Sequence, residues 1–205
     1  MPKQQKNIKE KKQGESSKKI GFTRTPFSEK EHTRQNTNGA VQHGQEASAR
    51  RSGEKVRGFT CGAFDLCHAG HMLVFKEAKT VCDRLIVFLQ EDPSVDDPSY
   101  RGKLKNKPVM SLEERTIILE GIKYIDEIIP YTTETDLYEK LKRLKAHVRI
   151  IGLDWKGKQF TGHDLPFDVY YNSRDHHFST SALRERVHKA ELQKQKEKQS
   201  IPASK

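Results

Sequence analysis

The alternation of apolar and polar stretches along residues 56–198 predicts alternating strands and helices. Five short stretches have the length and apolar content of strands: 56–61, 84–90, 125–131, 148–154 and 168–172. Four longer stretches are predicted as helices: 72–82, 111–124, 135–145 and 180–198. The order βαβαβαββα, with short links between apolar strands, is typical of an α/β fold with a Rossmann-like, doubly wound parallel sheet.

The predicted helix at 111–124 carries its own start signal. Ser111 is a favoured N-cap residue, and Glu114 lies three positions later, where its carboxylate can reach back to the N–H of Ser111. Arg115 falls on the otherwise apolar stripe of this helix, so its side chain is predicted to point inward. The stem of Arg115 would then cover core surface. The alternative, which we favour, is that its charge is turned toward a ligand, and it rests on the likeness of this helix start to that of a known family.

The segments that follow the predicted strands share a polar, flexible composition. Parallel sheets of this class bind their ligands beyond the carboxyl ends of the strands. Here those ends are followed by four segments rich in Gly, His, Lys, Arg, Ser and Thr: 62–71, 91–107, 152–158 and 172–181. The sequence therefore predicts one ligand site that is assembled from these segments.

Positive charge is concentrated at the two ends of the chain. Residues 1–57 hold 14 Lys and Arg against 6 Asp and Glu, residues 188–205 carry +3, and the body between them carries −1, within a total of +10. Residues 1–55 are predicted to be a disordered basic tail because apolar residues are scarce there. A single domain is predicted at 56–187, followed by a helical extension and basic C-terminal tail at 188–205. The N-terminal tail is either a solvated segment or an electrostatic arm for nucleic acid or another acidic partner.

Cysteine content and hydropathy bear on the location of the protein. The odd count of three cysteines is more typical of reduced thiols in the cytoplasm than of a disulfide framework. No stretch reaches the roughly 20 apolar residues of a membrane span. The region after Met1 also lacks the apolar core of a secretory signal. We therefore expect a cytoplasmic protein without a membrane span.

The stretch GAFDLCHAGH, residues 62–71, has the properties of an anion site. Gly62 and Gly70 allow a ligand to approach the backbone closely, and a helix is predicted to begin near Gly70, so its free N–H groups and its dipole favour an anion there. His68 and His71 can donate ring N–H groups to the phosphate oxygens on which charge grows during nucleotidyl transfer. The stretch is not a dinucleotide fingerprint, because G-x-G-x-x-G is absent, and it lacks the lysine of a P-loop.

The same residue types also occur in other kinds of site. Zinc ligation is disfavoured because the four candidates lack the paired spacing of structural zinc sites: Cys61, Cys67, His68 and His71. Histidines that only pack in the core are a second interpretation. A Ser-His-Asp hydrolase is disfavoured by the absence of G-x-S-x-G after a strand. A nucleotide-binding module without catalytic activity, whose basic arms dock to nucleic acid, is the non-enzyme alternative.

Four separated motifs resemble those of nucleotidyltransferases of the cytidylyltransferase type: H-x-G-H at 68–71, K-x-K at 105–107, G-L-D-W at 152–155 and S-T-S at 179–181. The closest likeness, over residues 56–187, is to glycerol-3-phosphate cytidylyltransferase and its ethanolamine- and choline-phosphate relatives. The resemblance implies transfer of CMP from CTP to a small alcohol- or polyol-phosphate with release of pyrophosphate. It also implies a homodimer. Mg²⁺ is expected to bind together with the nucleotide, without a dedicated set of protein ligands.

The same resemblance assigns roles to individual residues. His68 and His71 would stabilise the phosphate under attack, and Lys105 and Arg174 would complete the catalytic set. Lys105 and Lys107 would bind the phosphate of the acceptor. The predicted nucleotide-binding residues are Gly62, Ala63, Phe64, Gly70, Arg115, Gly152, Asp154, Trp155, Ser179, Thr180 and Ser181. Asp65 is the carboxylate nearest to the expected Mg²⁺, although an Asp in a turn more often caps backbone N–H groups.

The chain departs from the family pattern at several of these positions. Ala63 and Asp175 stand where the family has Thr, and His176 and His177 replace a Glu-Gly pair. The acceptor-side segment 91–107 differs most. The alternative prediction is therefore an adenylyltransferase that uses ATP with the same H-x-G-H machinery.

Overall fold

The computed structural model describes residues 52–96 and 105–200. The predicted basic tail lies outside these residues except for its last four positions, and so do the basic C-terminal residues after 200. Within the described ranges, five strands and four helices follow one another: β1 (Arg57–Gly62), α1 (Ala69–Ala78), β2 (Arg84–Gln90), α2 (Leu112–Glu120), β3 (Glu127–Tyr131), α3 (Glu134–Arg143), β4 (Val148–Gly152), β5 (Asp168–Asn172) and α4 (Thr180–Ser200). This is the order that the sequence predicted.

The five strands form one parallel sheet in the order β3-β2-β1-β4-β5. The chain moves outward from β1 to β3 and then returns to pair β4 with β1, where Phe59 lies opposite Arg149. The strand order therefore reverses between β1 and β4, and a ligand crevice is expected beyond the carboxyl ends of these two strands. The doubly wound α/β fold is confirmed.

The two faces of the sheet are covered by separate apolar clusters. Along β2, the side chains of Leu85, Val87 and Leu89 belong to one cluster, whereas those of Ile86 and Phe88 belong to the other. This alternation follows from the two-residue period of a strand. Because both faces of β2 are buried, every position of the run at 84–90 except its ends has to be apolar. Helices on both sides complete a three-layer architecture.

Several element boundaries differ from the predicted ones. The first helix begins at Ala69 rather than at residue 72, because His68 caps it. The second ends at Glu120, followed by Gly121 as its C-cap, and β4 ends at Gly152 because Leu153–Trp155 form a 3₁₀ turn. The third strand accommodates Pro130 because β3 is at the edge of the sheet, where a missing N–H leaves no neighbouring strand unpaired.

The last helix continues well beyond the sheet. Residues 185–199 of α4 are all exposed, so this part of the helix does not belong to the apolar core. Within residues 52–96 and 105–200, no helix combines the length and apolar character needed to cross a membrane. No disulfide joins Cys61, Cys67 and Cys82.

Candidate active site

A cleft of about 630 Å³ opens at the carboxyl edge of the sheet, where the strand order reverses. It is lined from one face of the sheet by His71 and Val74 of α1, and from the other face by Glu134 and Tyr138 of α3. The segments after β1, β4 and β5 line the space between them: Gly62, Ala63 and Phe64; Gly152 and Trp155; and Arg174. The sequence correctly placed these segments together.

The turn between β1 and α1, residues 62–71, is called the H-x-G-H turn below. Phe64 and Leu66 adopt positive φ angles of 48° and 47°, in a region that non-glycine residues rarely occupy. Phe64 is nevertheless held in place, because its buried ring packs against Phe75 at 5.2 Å and meets the edge of the His71 ring at 5.4 Å. Such strained turns are stabilised by their surroundings and cluster at functional sites.

The two histidines of this turn form a reciprocal cap on α1. Nδ1 of His68 accepts the backbone N–H of Gly70 at 3.1 Å, and Nδ1 of His71 accepts the backbone N–H of His68 at 3.4 Å. Because both Nδ1 atoms accept, both neutral rings carry their proton on Nε2. The rings are stacked, with centroids 4.0 Å apart. The cap thus leaves two Nε2–H donors on adjacent rings.

Both imidazoles are held in the neutral form. Burial, followed by the fields of His68 and Arg174, lowers the pKa of His71 to about 3. Burial likewise lowers the pKa of His68, with smaller effects from His176 and Arg174. A neutral imidazole with a fixed tautomer is a directed hydrogen-bond donor, and it does not depend on protonation near neutral pH.

The start of α4 lies against the H-x-G-H turn. Thr180 Oγ1 donates to the carbonyl of Asp65 at 3.2 Å and lies 3.4 Å from His68 Nε2. Ser179 caps the helix by accepting the N–H of Ala182 at 3.1 Å, and Ser181 is exposed. Of the three predicted hydroxyl groups, that of Thr180 touches the histidine pair. His68 itself is not among the residues that line the cleft.

The basic segment after residue 104 is anchored to this turn through Asp65. One carboxylate oxygen of Asp65 accepts the backbone N–H groups of Val109 and Met110, each at 3.0 Å. The other pairs with Arg184 of α4, which also donates to the carbonyl of Lys107. Asp65 thus accepts backbone N–H groups, the commoner of the two roles considered for it from the sequence, and its carboxylate is occupied by these donors. The side chain of Lys105 lines the cleft, whereas Lys107 is exposed and lies outside the cleft lining.

The segments after β4 and β5 meet across the cleft. Nη1 of Arg174 lies 3.4 Å from Oδ1 of Asp154, and both side chains are more than half exposed. A methyl group at Gly152 would lie 2.3 Å from the same Asp154 oxygen, so a side chain at this position would displace the Asp154 carboxylate. Trp155 is half-buried against the cleft. The structure thus brings together the predicted residues of these two segments.

The structure gives Arg115 a different role from the phosphate ligand that the sequence suggested. Arg115 is 2% exposed, and its guanidinium donates to the carbonyl oxygens of five residues: Ala63, Gln90, Glu91, Met110 and Ser111. These carbonyls belong to three segments around the carboxyl edge. Arg115 therefore fixes the backbone of the loops after β1 and β2, because its rigid fork of N–H donors is directed at peptide oxygens.

Sequence reasoning missed the polar residues on the α3 side of the cleft. Arg149 of β4 is buried, stacks over the ring of Phe160 at 4.6 Å, and donates to the carbonyl of Thr161. The hydroxyl of Thr161 donates to the carboxylate of Glu134, which is also buried. The sequence offered one signal for this group of residues: Arg149 lies inside the apolar run at 148–152. Arginine is rare in a buried strand unless it has a polar partner.

Two further residues were missed on the histidine side. Arg184 lies four positions after Thr180, hence on the same face of α4, and this spacing was a usable signal. His176 packs against the turn: a methyl group at Gly70 would lie 2.8 Å from its Cε1 atom and 2.9 Å from that of His68. Among residues 52–96 and 105–200, no three His, Cys, Asp or Glu side chains are arranged to hold a metal ion.

Comparisons with known proteins identify relatives of this domain. A family model described as cytidylyltransferase-like matches residues 59–186. The bifunctional protein HldE of Campylobacter curvus is 31% identical over 180 residues, which make up 84% of this chain and 37% of that protein. HldE of Wolinella succinogenes is 35% identical over 138 residues, covering 67% of this chain and 28% of that protein. The chain thus spans about a third of the length of these curated relatives.

Solved structures show more distant likenesses. The lipopolysaccharide core biosynthesis protein from Thermoplasma volcanium has a TM-score of 0.40 and 21% identity, over 66% of this chain and 88% of that one. The pantoate-β-alanine ligase from Francisella tularensis has a TM-score of 0.40 and 17% identity, over 62% of this chain and 63% of that one. These likenesses are too weak to bear on function. The family match, however, covers more than half of the chain and includes the H-x-G-H turn, and the chain belongs to the cytidylyltransferase-like nucleotidyltransferases.

Proposed function

We propose that this protein transfers a nucleoside monophosphate from a nucleoside triphosphate to a small phosphorylated alcohol or polyol, with CTP as the first donor to test. The observation that carries the proposal is the pair of stacked, neutral imidazoles at the start of α1. Their Nδ1 atoms are engaged by backbone N–H groups, so each ring has an Nε2–H for phosphate oxygens.

The reaction needs positioning and charge stabilisation more than proton transfer. An oxygen of the acceptor phosphate attacks the α-phosphorus, a new P–O bond forms, and the bond from the α-phosphorus to the bridging oxygen breaks. Pyrophosphate leaves with that electron pair. Because the attacking phosphate is already ionised, no strong general base is required. Fixed donors such as His68 and His71 lower the barrier, each by about 3 kcal/mol.

Positive side chains around the cleft suit the remaining phosphates. Lys105 and Arg174 both line the cleft. Lys105 would contact the acceptor phosphate, and Arg174 would contact the departing pyrophosphate. Mg²⁺ would arrive with the nucleotide and neutralise phosphate charge. It would be held mainly by phosphate oxygens and water, because Asp65 is already bound to Arg184 and two backbone N–H groups.

The choice between CTP and ATP depends on the residues around the base. The preference for cytosine rests on Asp154 and Trp155, and the carboxylate of Asp154 lies beside Arg174. The cleft of about 630 Å³ has room for a purine as well as a pyrimidine. An ATP-dependent adenylyltransferase is therefore the second candidate.

Pyrophosphate release tests the function directly. The protein is incubated with CTP or ATP and with glycerol-3-phosphate, ethanolamine phosphate or choline phosphate in turn. We expect acceptor-dependent release with CTP, and a larger thermal stabilisation by CTP than by ATP. Equal or greater stabilisation by ATP, with ATP-dependent turnover, would replace the cytidylyl assignment by the adenylyl one. Binding of nucleotide without pyrophosphate release for any acceptor would favour the non-catalytic module.

Three further expectations accompany this function. The homodimer is implied by the family likeness, and the cytoplasmic location by the cysteine count. A nucleic-acid or acidic partner for the N-terminal tail is suggested by its charge. Sedimentation, localisation of a tagged chain and binding of labelled RNA would test these predictions separately.

A further inference from the structure

We propose that His176 is a further phosphate-binding residue of this site, a third imidazole whose ring N–H donates to an oxygen of the nucleotide's polyphosphate. This inference rests on the proposed function, and it adds a residue at a position where the family pattern has no histidine. His176 follows Arg174 in the segment that leads from β5 to α4.

The position of His176 places it within the histidine cluster. The rings of His68 and His176 both lie against Gly70, at the first turn of α1. A methyl group on Gly70 would lie 2.9 Å from Cε1 of the first ring and 2.8 Å from Cε1 of the second. The field of His176 also contributes to the lowered pKa of both His68 and His71. Three imidazoles are thus gathered at the start of one helix, where an anion is favoured.

The ring of His176 has unused hydrogen-bonding capacity. Its two ring nitrogens are buried and have no hydrogen-bond partner among the described residues. The neighbouring histidines differ, because their Nδ1 atoms accept backbone N–H groups. A buried polar group without a partner is unfavourable, and native proteins rarely retain one unless a ligand or a mechanism uses it.

The backbone around His176 is held in an uncommon conformation. Arg174 has a φ angle of 49°, in the left-handed region, and its carbonyl accepts the N–H of His176 at 2.6 Å across a tight turn. The Arg174 side chain lines the cleft, whereas His68 and His176 lie just outside its lining. A small rotation of this segment on nucleotide binding would bring the His176 ring to the phosphates beside Arg174. Such a movement would relieve the backbone strain at Arg174. It would also give the ring nitrogens of His176 a hydrogen-bond partner, and both effects would favour it.

The chemical class of the ligand follows from the donors. An imidazole N–H, the Arg174 guanidinium and the start of a helix all favour an anion with several oxygens, and they offer little to a neutral group. The polyphosphate of the donor nucleotide meets this requirement. His176 would therefore act on the binding of nucleotide and pyrophosphate more than on the acceptor.

Binding of inorganic pyrophosphate tests the proposal without requiring turnover. Titration calorimetry is performed on the full chain and on three variants: His176→Ala, His176→Asn and His177→Ala. His177 is the matched control, because it is exposed and adjacent in the chain. We expect His176→Ala to weaken pyrophosphate binding about tenfold, and His177→Ala to change it by less than about twofold. His176→Asn, which keeps an N–H donor, should recover part of the loss.

Thermal unfolding separates binding from packing. Removal of an unsatisfied ring should leave the Tm of His176→Ala equal to or above that of the wild type. The proposal is overturned if His176→Ala binds pyrophosphate as the wild type does. It is also overturned if the variant binds weakly, melts at a lower temperature and gains nothing from the Asn replacement, because packing alone would then explain the loss.

The two proposals can fail separately. A wild-type protein that binds pyrophosphate through His176 but releases none from CTP or ATP would refute the proposed function and support this inference. A wild-type enzyme that turns over nucleotide, with a His176→Ala variant of unchanged KM and pyrophosphate affinity, would refute this inference alone. A protein that binds neither pyrophosphate nor nucleotide would refute both.

Discussion

Asp65 and Arg184, 119 positions apart in the chain, form an ion pair that joins the H-x-G-H turn to α4. The side chain of Asp65 is 8% exposed, and its second oxygen accepts the N–H groups of Val109 and Met110. One carboxylate therefore holds together the histidine turn, the basic segment after residue 104 and the last helix. Loss of this carboxylate should disturb all three.

Replacement of Asp65 by Ala should lower the free energy of unfolding by about 2–4 kcal/mol, because Arg184 and two backbone N–H groups lose their acceptor. Urea unfolding measures the change. The matched control is Glu185→Ala, which removes an exposed ion pair with Lys189 in the same helix and should cost at most about 0.5 kcal/mol. Similar losses for the two variants would show that the Asp65 pair does not hold the segments together.

The contribution of Asp65 should depend on pH in a defined direction. Burial raises the pKa of this carboxyl, but hydrogen bonds from Met110 and Val109 and the pairing with Arg184 bring it below its ordinary value of 3.8. The ionised form is thus favoured in the folded state, and its stabilisation is present above about pH 4 and lost as the pH falls through the folded pKa. The difference in unfolding free energy between wild type and Asp65→Asn should shrink below that pH. A difference that stays constant down to pH 2 would contradict the assignment.

His71 should make the protein less stable as the pH falls from 6.5 toward 3. Its pKa of about 3 in the folded state lies below the ordinary 6.5, so the unfolded chain binds the proton first and protonation favours unfolding. Between pH 7 and pH 5, the wild type should lose about 2 kcal/mol more than His71→Gln does. Urea titrations at the two pH values measure this difference. Parallel losses in both proteins would mean that His71 is not held neutral by burial.

Replacement of His68 by Asn separates capping from chemistry. Asn is a favoured N-cap residue and can accept the Gly70 N–H in place of Nδ1, but it lacks the Nε2–H donor. We expect kcat to fall about 100- to 1,000-fold, with little change in the nucleotide dissociation constant and in Tm. His188→Ala, an exposed change on α4, should leave both kinetic constants unaltered. An unchanged kcat in His68→Asn would refute the assigned role of His68.

Replacement of Arg115 by Lys should act on stability rather than on phosphate binding. Lysine cannot direct N–H groups at carbonyl oxygens in three segments, so we expect a loss of about 2–4 kcal/mol in unfolding free energy. The exposed Arg186→Lys on α4 should change stability by less than about 0.5 kcal/mol. At a temperature where Arg115→Lys stays folded, its nucleotide affinity should be close to that of the wild type. A stable variant with much weaker nucleotide binding would restore the phosphate-ligand interpretation.

The sequence by itself determined the order of the elements and the identity of most cleft segments. The apolar run at 84–90 and the capping box at Ser111 are local signals, which depend only on neighbouring residues. Parallel strands in that order place their carboxyl ends along one edge, so the segments after β1, β4 and β5 had to meet. The likeness at H-x-G-H then supplied the expected chemistry.

The tertiary structure alone decided which atoms are available at that edge. The sequence placed Arg115 on an inward stripe, but the fold determines that carbonyl oxygens from several loops receive its N–H groups. In the same way, Asp65 is bound to Arg184 rather than directed to a metal ion, and His176 is pressed against Gly70. Each of these contacts joins residues that are distant in sequence. Such partners are selected by packing and by the need to satisfy buried polar groups, and neither acts within the short window where periodicity is visible.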